Sequence, residues 1–79
     1  MDSTRILVYG TAHCSDCHAA RRVLNEQGVG YDFVDIDEVP GAADEVLKLN
    51  HGMRSVPTII FPNGTVMVEP SRRELLAAL

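Results

Sequence analysis

The sequence predicts an α/β fold with a mixed four-stranded sheet flanked by helices, in the order β-α-β-α-β-β-α. Three observations carry that expectation. A β-branched and aromatic run stops at Gly10. An amphipathic helical stretch then separates it from a second strand-like run. Two further apolar runs meet at Pro62-Asn63-Gly64. Strands joined through a helix pair in parallel with a right-handed crossover. Strands joined by a tight turn must be antiparallel.

Each element has its own local reason. Arg5 to Tyr9 reads RILVY, a short buried strand broken by Gly10. From Ser15 to Gln27 the residues Cys17, Ala20, Val23, Leu24 and Gln27 fall on one helical stripe. Arg21, Arg22, Asn25 and Glu26 take the outer, solvated face, and Gly28 stands where a left-handed helix end belongs. Tyr31 to Ile36 reads as the second strand, and Asp35, Asp37 and Glu38 as its solvated end and loop. Pro40 and Gly41 open a helix over Ala42 to Leu49, with Val46, Leu47 and Ala43 inward, closed by Asn50-His51-Gly52. Thr58 to Phe61 and Thr65 to Val68 form a hairpin about Pro62-Asn63-Gly64. Ser71-Arg72-Arg73-Glu74 is a capping-box pattern, preceded by Pro70 and followed by Leu75, Leu76 and Leu79, that starts a last helix with both arginines in solvent. Met53 and Met67 read as packing residues.

Size and charge narrow the function classes. The 79 residues, 46% hydrophobic and 23% charged, suit one compact domain over residues 1–79 rather than a disordered chain. Seven Lys/Arg against eleven Asp/Glu leave a net charge of −4, which disfavours nucleic acid as a partner. No apolar run approaches the ~20 residues of a membrane span. Met1-Asp2-Ser3-Thr4-Arg5 leads into only a short apolar stretch, unlike a secretory signal. Together these predict a small, acidic, cytoplasmic protein, and a monomer is expected.

The two cysteines, Cys14 and Cys17, are the chemical signal. A bridge between them closes almost no chain and can stabilise little, so the pair serves chemistry rather than a scaffold. Three readings compete. They are a redox dithiol, a covalent haem site through Cys14-Ser15-Asp16-Cys17-His18, and a metal or iron–sulfur site helped by His13 or His18. The pair lies between the first strand and the first helix, where open α/β sheets place their sites. On the haem reading His18 is the signature residue; otherwise it is an ordinary residue of the first helical turn.

Tyr9-Gly10-Thr11-Ala12-His13-Cys14-Ser15-Asp16-Cys17 after a strand, and Ser55-Val56-Pro57-Thr58 before a hairpin, resemble the glutaredoxin family and its thioredoxin-fold relatives. The likeness spans nearly the whole chain. Met53 to Thr58, Asn63-Gly64-Thr65, Glu69-Pro70-Ser71 and Glu74 look most like its mycoredoxin-type branch. Some positions differ. Thr11 stands where many members carry a lysine that contacts glutathione. Val68-Glu69-Pro70-Ser71 replaces a Gly-Gly and acidic segment, and Ser15-Asp16 replaces Pro and an aromatic residue. The C-terminal tryptophan signature of NrdH redoxins is absent, since the chain has no Trp.

The resemblance implies a thioredoxin-like fold, a single glutaredoxin-like domain and a thiol–disulfide oxidoreductase. Cys14 would be its nucleophile, Cys17 its resolving thiol and Pro57 a cis-proline facing them. It implies no bound cofactor and no metal. Mycothiol or glutathione would be the co-substrate, oxidised or S-thiolated proteins the partners, and that thiol or a flavin reductase the electron source. Chemistry agrees that the attacking species is a thiolate. A helix N-terminus at Cys14 favours an anion, Asp16 opposes one, and His13 or Arg54 could offset Asp16. A less acidic, buried Cys17 is expected. Val56, ahead of Pro57, would pair its backbone with an extended substrate. Thr11, His13, Arg54, Glu69 and Ser71 would line the cleft.

Overall fold

The computed structural model describes residues 5–79. Met1 to Thr4, on which the reading of the N-terminus bears, lie outside the described residues. The elements are β1 (Ile6–Gly10), α1 (Ser15–Glu26), β2 (Tyr31–Asp35), α2 (Ala42–Leu49), β3 (Thr58–Ile60), β4 (Val66–Val68) and α3 (Arg72–Ala78). They form one sheet in the order β2-β1-β3-β4. β1 and β2 are parallel, with Ile6 opposite Tyr31 and Gly10 opposite Asp35. β3 is antiparallel to both β1 and β4, with Val8 opposite Ile59 and Ile59 opposite Met67. The expected order and strand directions hold, with β1 running one residue later than expected and ending on Gly10.

The period-two alternation of β1 divides the core. Ile6 and Val8 face α1 and α3, packing with Ala20, Val23, Leu24, Ile59 and Leu75. Leu7 and Tyr9 face the other way, onto Ile36, Ala42 and Val46 beneath α2. The sheet is thus sandwiched between helices on both faces. Local chemistry sets the breaks. Gly28 takes φ +67 just past α1. In the hairpin turn Gly64 takes φ +91, and the Thr65 amide donates to Asn63 Oδ1 at 2.9 Å. At α3 the full capping box forms: Glu74 N donates to Ser71 Oγ at 3.1 Å and Ser71 N to Glu74 Oε1 at 2.9 Å.

Several surface expectations change. Gln27 is exposed, because α1 ends one residue earlier and the inward stripe closes on Leu24. Arg21 is not simply solvated. Its guanidinium lies 4.0 Å from the Phe33 ring centroid and its Nε donates to the Tyr31 hydroxyl. Arg72 pairs with Glu26 at 2.9 Å, tying α3 to α1. Met53, expected to pack, is exposed, whereas Met67 packs in the core. Among the described residues no helix is long and apolar enough to cross a membrane.

Candidate active site

The site grows from the C-terminal end of β1. Ile36 N donates to the Gly10 carbonyl at 2.9 Å, which extends the β1–β2 ladder to the point where the chain turns toward the cysteines. Cys14 is the N-cap of α1, with extended backbone (φ −94, ψ 113). Its Sγ accepts the Cys17 amide at 3.1 Å, so the sulfur occupies the place of a capping oxygen. A serine or aspartate usually fills this position, and a sulfur here meets the unpaired N–H groups of the first turn.

One turn along, Cys17 starts the inward stripe and is fully buried, whereas Cys14 is partly open to solvent. Both are free thiols. Burial pushes the Cys17 thiol up to about 12. Its hydrogen bond to Cys14 and the charges of Cys14 and Asp16 act the same way, while the Thr11 backbone opposes them. The close packing under Cys17 requires a glycine at position 10: a Cβ there would sit 2.8 Å from Cys17 Sγ and 2.9 Å from Phe33 Cε1.

The opposite wall is the segment before β3. The Val56–Pro57 peptide bond is cis, and Cys14 Sγ donates to the Val56 carbonyl across 3.8 Å. The buried Pro57 accepts the Glu69 amide at 2.9 Å, which brings the residues after β4 to the same wall. Thr58 Oγ1 donates to the Ser55 carbonyl at 2.7 Å and accepts Asn50 Nδ2 at 3.0 Å, both polar groups being buried. This brace runs from the end of α2 to the residue preceding Val56. In the sequence Asn50 reads only as a helix stop. A buried threonine in the Thr-Ile-Ile strand was the signal that it needed a polar partner.

The remaining candidates divide. Thr11 is buried beside Cys17, and His13 is exposed just ahead of Cys14. Arg54 does not stand alone, because its guanidinium pairs with Asp37. Asp37 is therefore not merely the solvated loop residue expected. Glu69 is exposed, with φ +48. The Ser71 hydroxyl is occupied as the cap of α3. His18 is more than a bland helix residue: its Nε2 donates to the Ala12 carbonyl at 2.8 Å and closes the turn that carries the cysteines. Among the described residues no three His, Cys, Asp or Glu side chains converge on a common metal position.

The glutaredoxin family model matches residues 6–67, from the first residue of β1 into β4, and so covers both walls of this site. The chain belongs to the glutaredoxin family. A Mycobacterium tuberculosis protein described as a glutaredoxin is 34% identical over 79 residues, spanning 100% of this chain and 94% of its own. Mycoredoxin 1 of Corynebacterium glutamicum is 30% identical over 76 residues, or 96% of this chain and 94% of its own. A thioredoxin-like protein of known crystal structure superposes with a TM-score of 0.82 at 24% identity, over 95% of this chain and 100% of that one. The fold is thioredoxin-like, and the family is one of thiol–disulfide oxidoreductases. This glutaredoxin has its cysteine pair where the β1–α1 turn meets the segment before β3.

Proposed function

We propose that the protein is a dithiol reductase of protein disulfides and of mixed disulfides between proteins and low-molecular-weight thiols. The observation that carries this reading is the inequality of the two sulfurs. Cys14 Sγ is partly open, caps α1 and receives the Cys17 amide, whereas Cys17 is sealed beneath it as a thiol. The Cys14 thiolate attacks R–S–S–R′, forming Cys14–S–S–R and releasing R′–S⁻, which takes up a proton. Cys17 then loses its proton and displaces R–S⁻, leaving a Cys14–Cys17 disulfide. Two electrons from mycothiol, glutathione or a flavin reductase restore the dithiol. No bound cofactor or metal is needed for these steps, and the reducing cytoplasm is the compartment they suit.

The other residues support substrate rather than bond exchange. Val56 and Pro57 offer a wall against which an extended, disulfide-bearing segment can lie. Thr11, His13, Arg54, Glu69 and Ser71 surround the approach to Cys14, with the Ser71 side chain acting chiefly through the helix it caps. The protein acts as a monomer of one domain. The test is trapping by the Cys17→Ser protein, offered peptides capped with mycothiol or with glutathione and weighed by intact mass. An adduct on Cys14, formed faster from the mycothiol cap, is expected. Reductase activity that survives in Cys14→Ser overturns the reading. A faster glutathione adduct assigns glutathione as the partner thiol instead.

A further inference from the structure

The exchange steps do not use the Asp37–Arg54 ion pair. Both partners sit at the dithiol end of the sheet. Asp37 follows Ile36, whose amide is bonded to the Gly10 carbonyl, four residues before Cys14. Arg54 is two residues before Val56, whose carbonyl accepts from Cys14 Sγ. Its Cα is therefore at most about 7.6 Å from that of Val56. Each side chain is about half exposed, 49% for Arg54 and 51% for Asp37, so the pair is open to solvent.

The pairing changes what this approach presents. A free guanidinium beside the attacked disulfide would draw anionic thiol moieties toward Cys14. Paired with Asp37, Arg54 contributes little net charge. Other fixed charges close by are Asp35, whose Oδ1 accepts the Asp37 amide at 2.9 Å, Glu38, Asp16, two residues past Cys14, and Glu69, whose amide is bonded to the Pro57 carbonyl. None of these four carboxylates forms an ion pair among the described residues, so the surroundings of the pair are acidic and Arg54 is the cation that Asp37 neutralises. Two imidazoles lie near Cys14: His13, next to it in sequence, and His18, whose ring is bonded to the Ala12 carbonyl.

We infer that Asp37 is a specificity-determining residue: by occupying Arg54 it turns the dithiol away from disulfides with anionic thiol moieties and toward neutral ones. The inference rests on the reading of Cys14 as the attacking sulfur, but its test does not require turnover. Iodoacetate and iodoacetamide alkylate the same thiolate and differ by one negative charge. The ratio of their rates at Cys14 therefore reports the local potential, and any change in thiolate fraction cancels.

Asp37→Asn should raise the iodoacetate-to-iodoacetamide ratio about two- to threefold at low ionic strength, the scale of one partly screened charge within about 10 Å. Arg54→Gln should lower it by a similar factor. The double variant should return it close to the wild-type value, and 0.5 M salt should erase most of each change. The same variants should shift the preference between peptides capped with glutathione and with 2-mercaptoethanol in the same directions. Single substitutions that move the ratio the same way, or leave it unmoved, overturn the inference and make the pair a structural clip only. Reductase activity surviving in Cys14→Ser overturns the proposed function whatever the ratio does, so the two failures are distinct.

Discussion

Replacing Gly10 with alanine tests the packing on which the dithiol rests. Gly10 does not use the left-handed backbone region, so alanine could adopt its conformation. At such a site Gly→Ala ordinarily stabilises by about 0.4–1 kcal/mol, because the unfolded chain loses freedom. The surroundings here reverse the sign. The new Cβ would lie 2.8 Å from Cys17 Sγ, 2.9 Å from Phe33 Cε1 and 3.2 Å from Cys17 Cβ. These are short of the ~3.5–4.0 Å at which such atoms attract. Neither neighbour yields cheaply: Cys17 is fixed on the first turn of α1 and Phe33 lies beneath the Arg21 guanidinium. Overpacking of this kind costs about 1–3 kcal/mol, so a net loss of roughly 1–2 kcal/mol remains after the entropic gain. For a chain of this size that is a fall in Tm of about 5–15 °C. Urea unfolding followed by circular dichroism should show a lower midpoint with an unchanged slope. A Gly10→Ala protein as stable as the wild type would refute the close-packing account of this position.

Two further outcomes follow from the buried groups of the site. The Cys17 thiol is held from its ordinary 9.0 up to about 12, so between these pH values the folded protein keeps a proton that the unfolded chain loses. Stability from this group is therefore complete below about pH 9 and declines as pH rises toward 12. Urea midpoints of the reduced protein should fall more steeply over that range than those of Cys17→Ser, and equal slopes would disprove the assignment. Asn50→Ala removes a buried hydrogen bond to Thr58 and should cost about 1–3 kcal/mol. It should also lower kcat/KM by loosening the wall at Ser55 and Val56; a loss below about 0.5 kcal/mol would place Asn50 among ordinary surface residues.

What the sequence made legible is what short-range physics encodes. The stripe Cys17, Ala20, Val23 and Leu24, the Pro62-Asn63-Gly64 turn and the Ser71–Glu74 box each act within a few residues, and each forms as expected. Long-range polar contacts left a weaker trace. Asp37 and Arg54 are 17 residues apart and each reads alone as a solvated charge. Arg21 reads as an outer-face residue of α1, yet β2 brings Tyr31 and Phe33 beneath it. Gly10 read as a strand breaker, although it is a residue of β1 and its missing side chain makes room for Cys17. The cis bond at Val56–Pro57 was expected from family resemblance, since no local pattern separates it from an edge-strand proline.

The inequality of the two sulfurs follows from spacing more than from the residues between them. Cys14 precedes the first helical residue, so its side chain caps the helix from outside and keeps a face to solvent. Cys17 lies three residues on, within the stripe that continues through Ala20 to Leu24 and is buried for the same reason as they are. Ser15 and Asp16 both point outward and are exposed, so neither seals Cys17. One residue added between the cysteines would rotate the second sulfur by about 100° around the helix and off the buried stripe. One removed would rotate it as far the other way. In either case Cys17 would lose the burial that keeps it a thiol, and Gly10 would face an empty space. The three-residue step thus makes one cysteine reachable and the other reserved, and the hydrophobic period that folds α1 against the sheet is the same one that sets it.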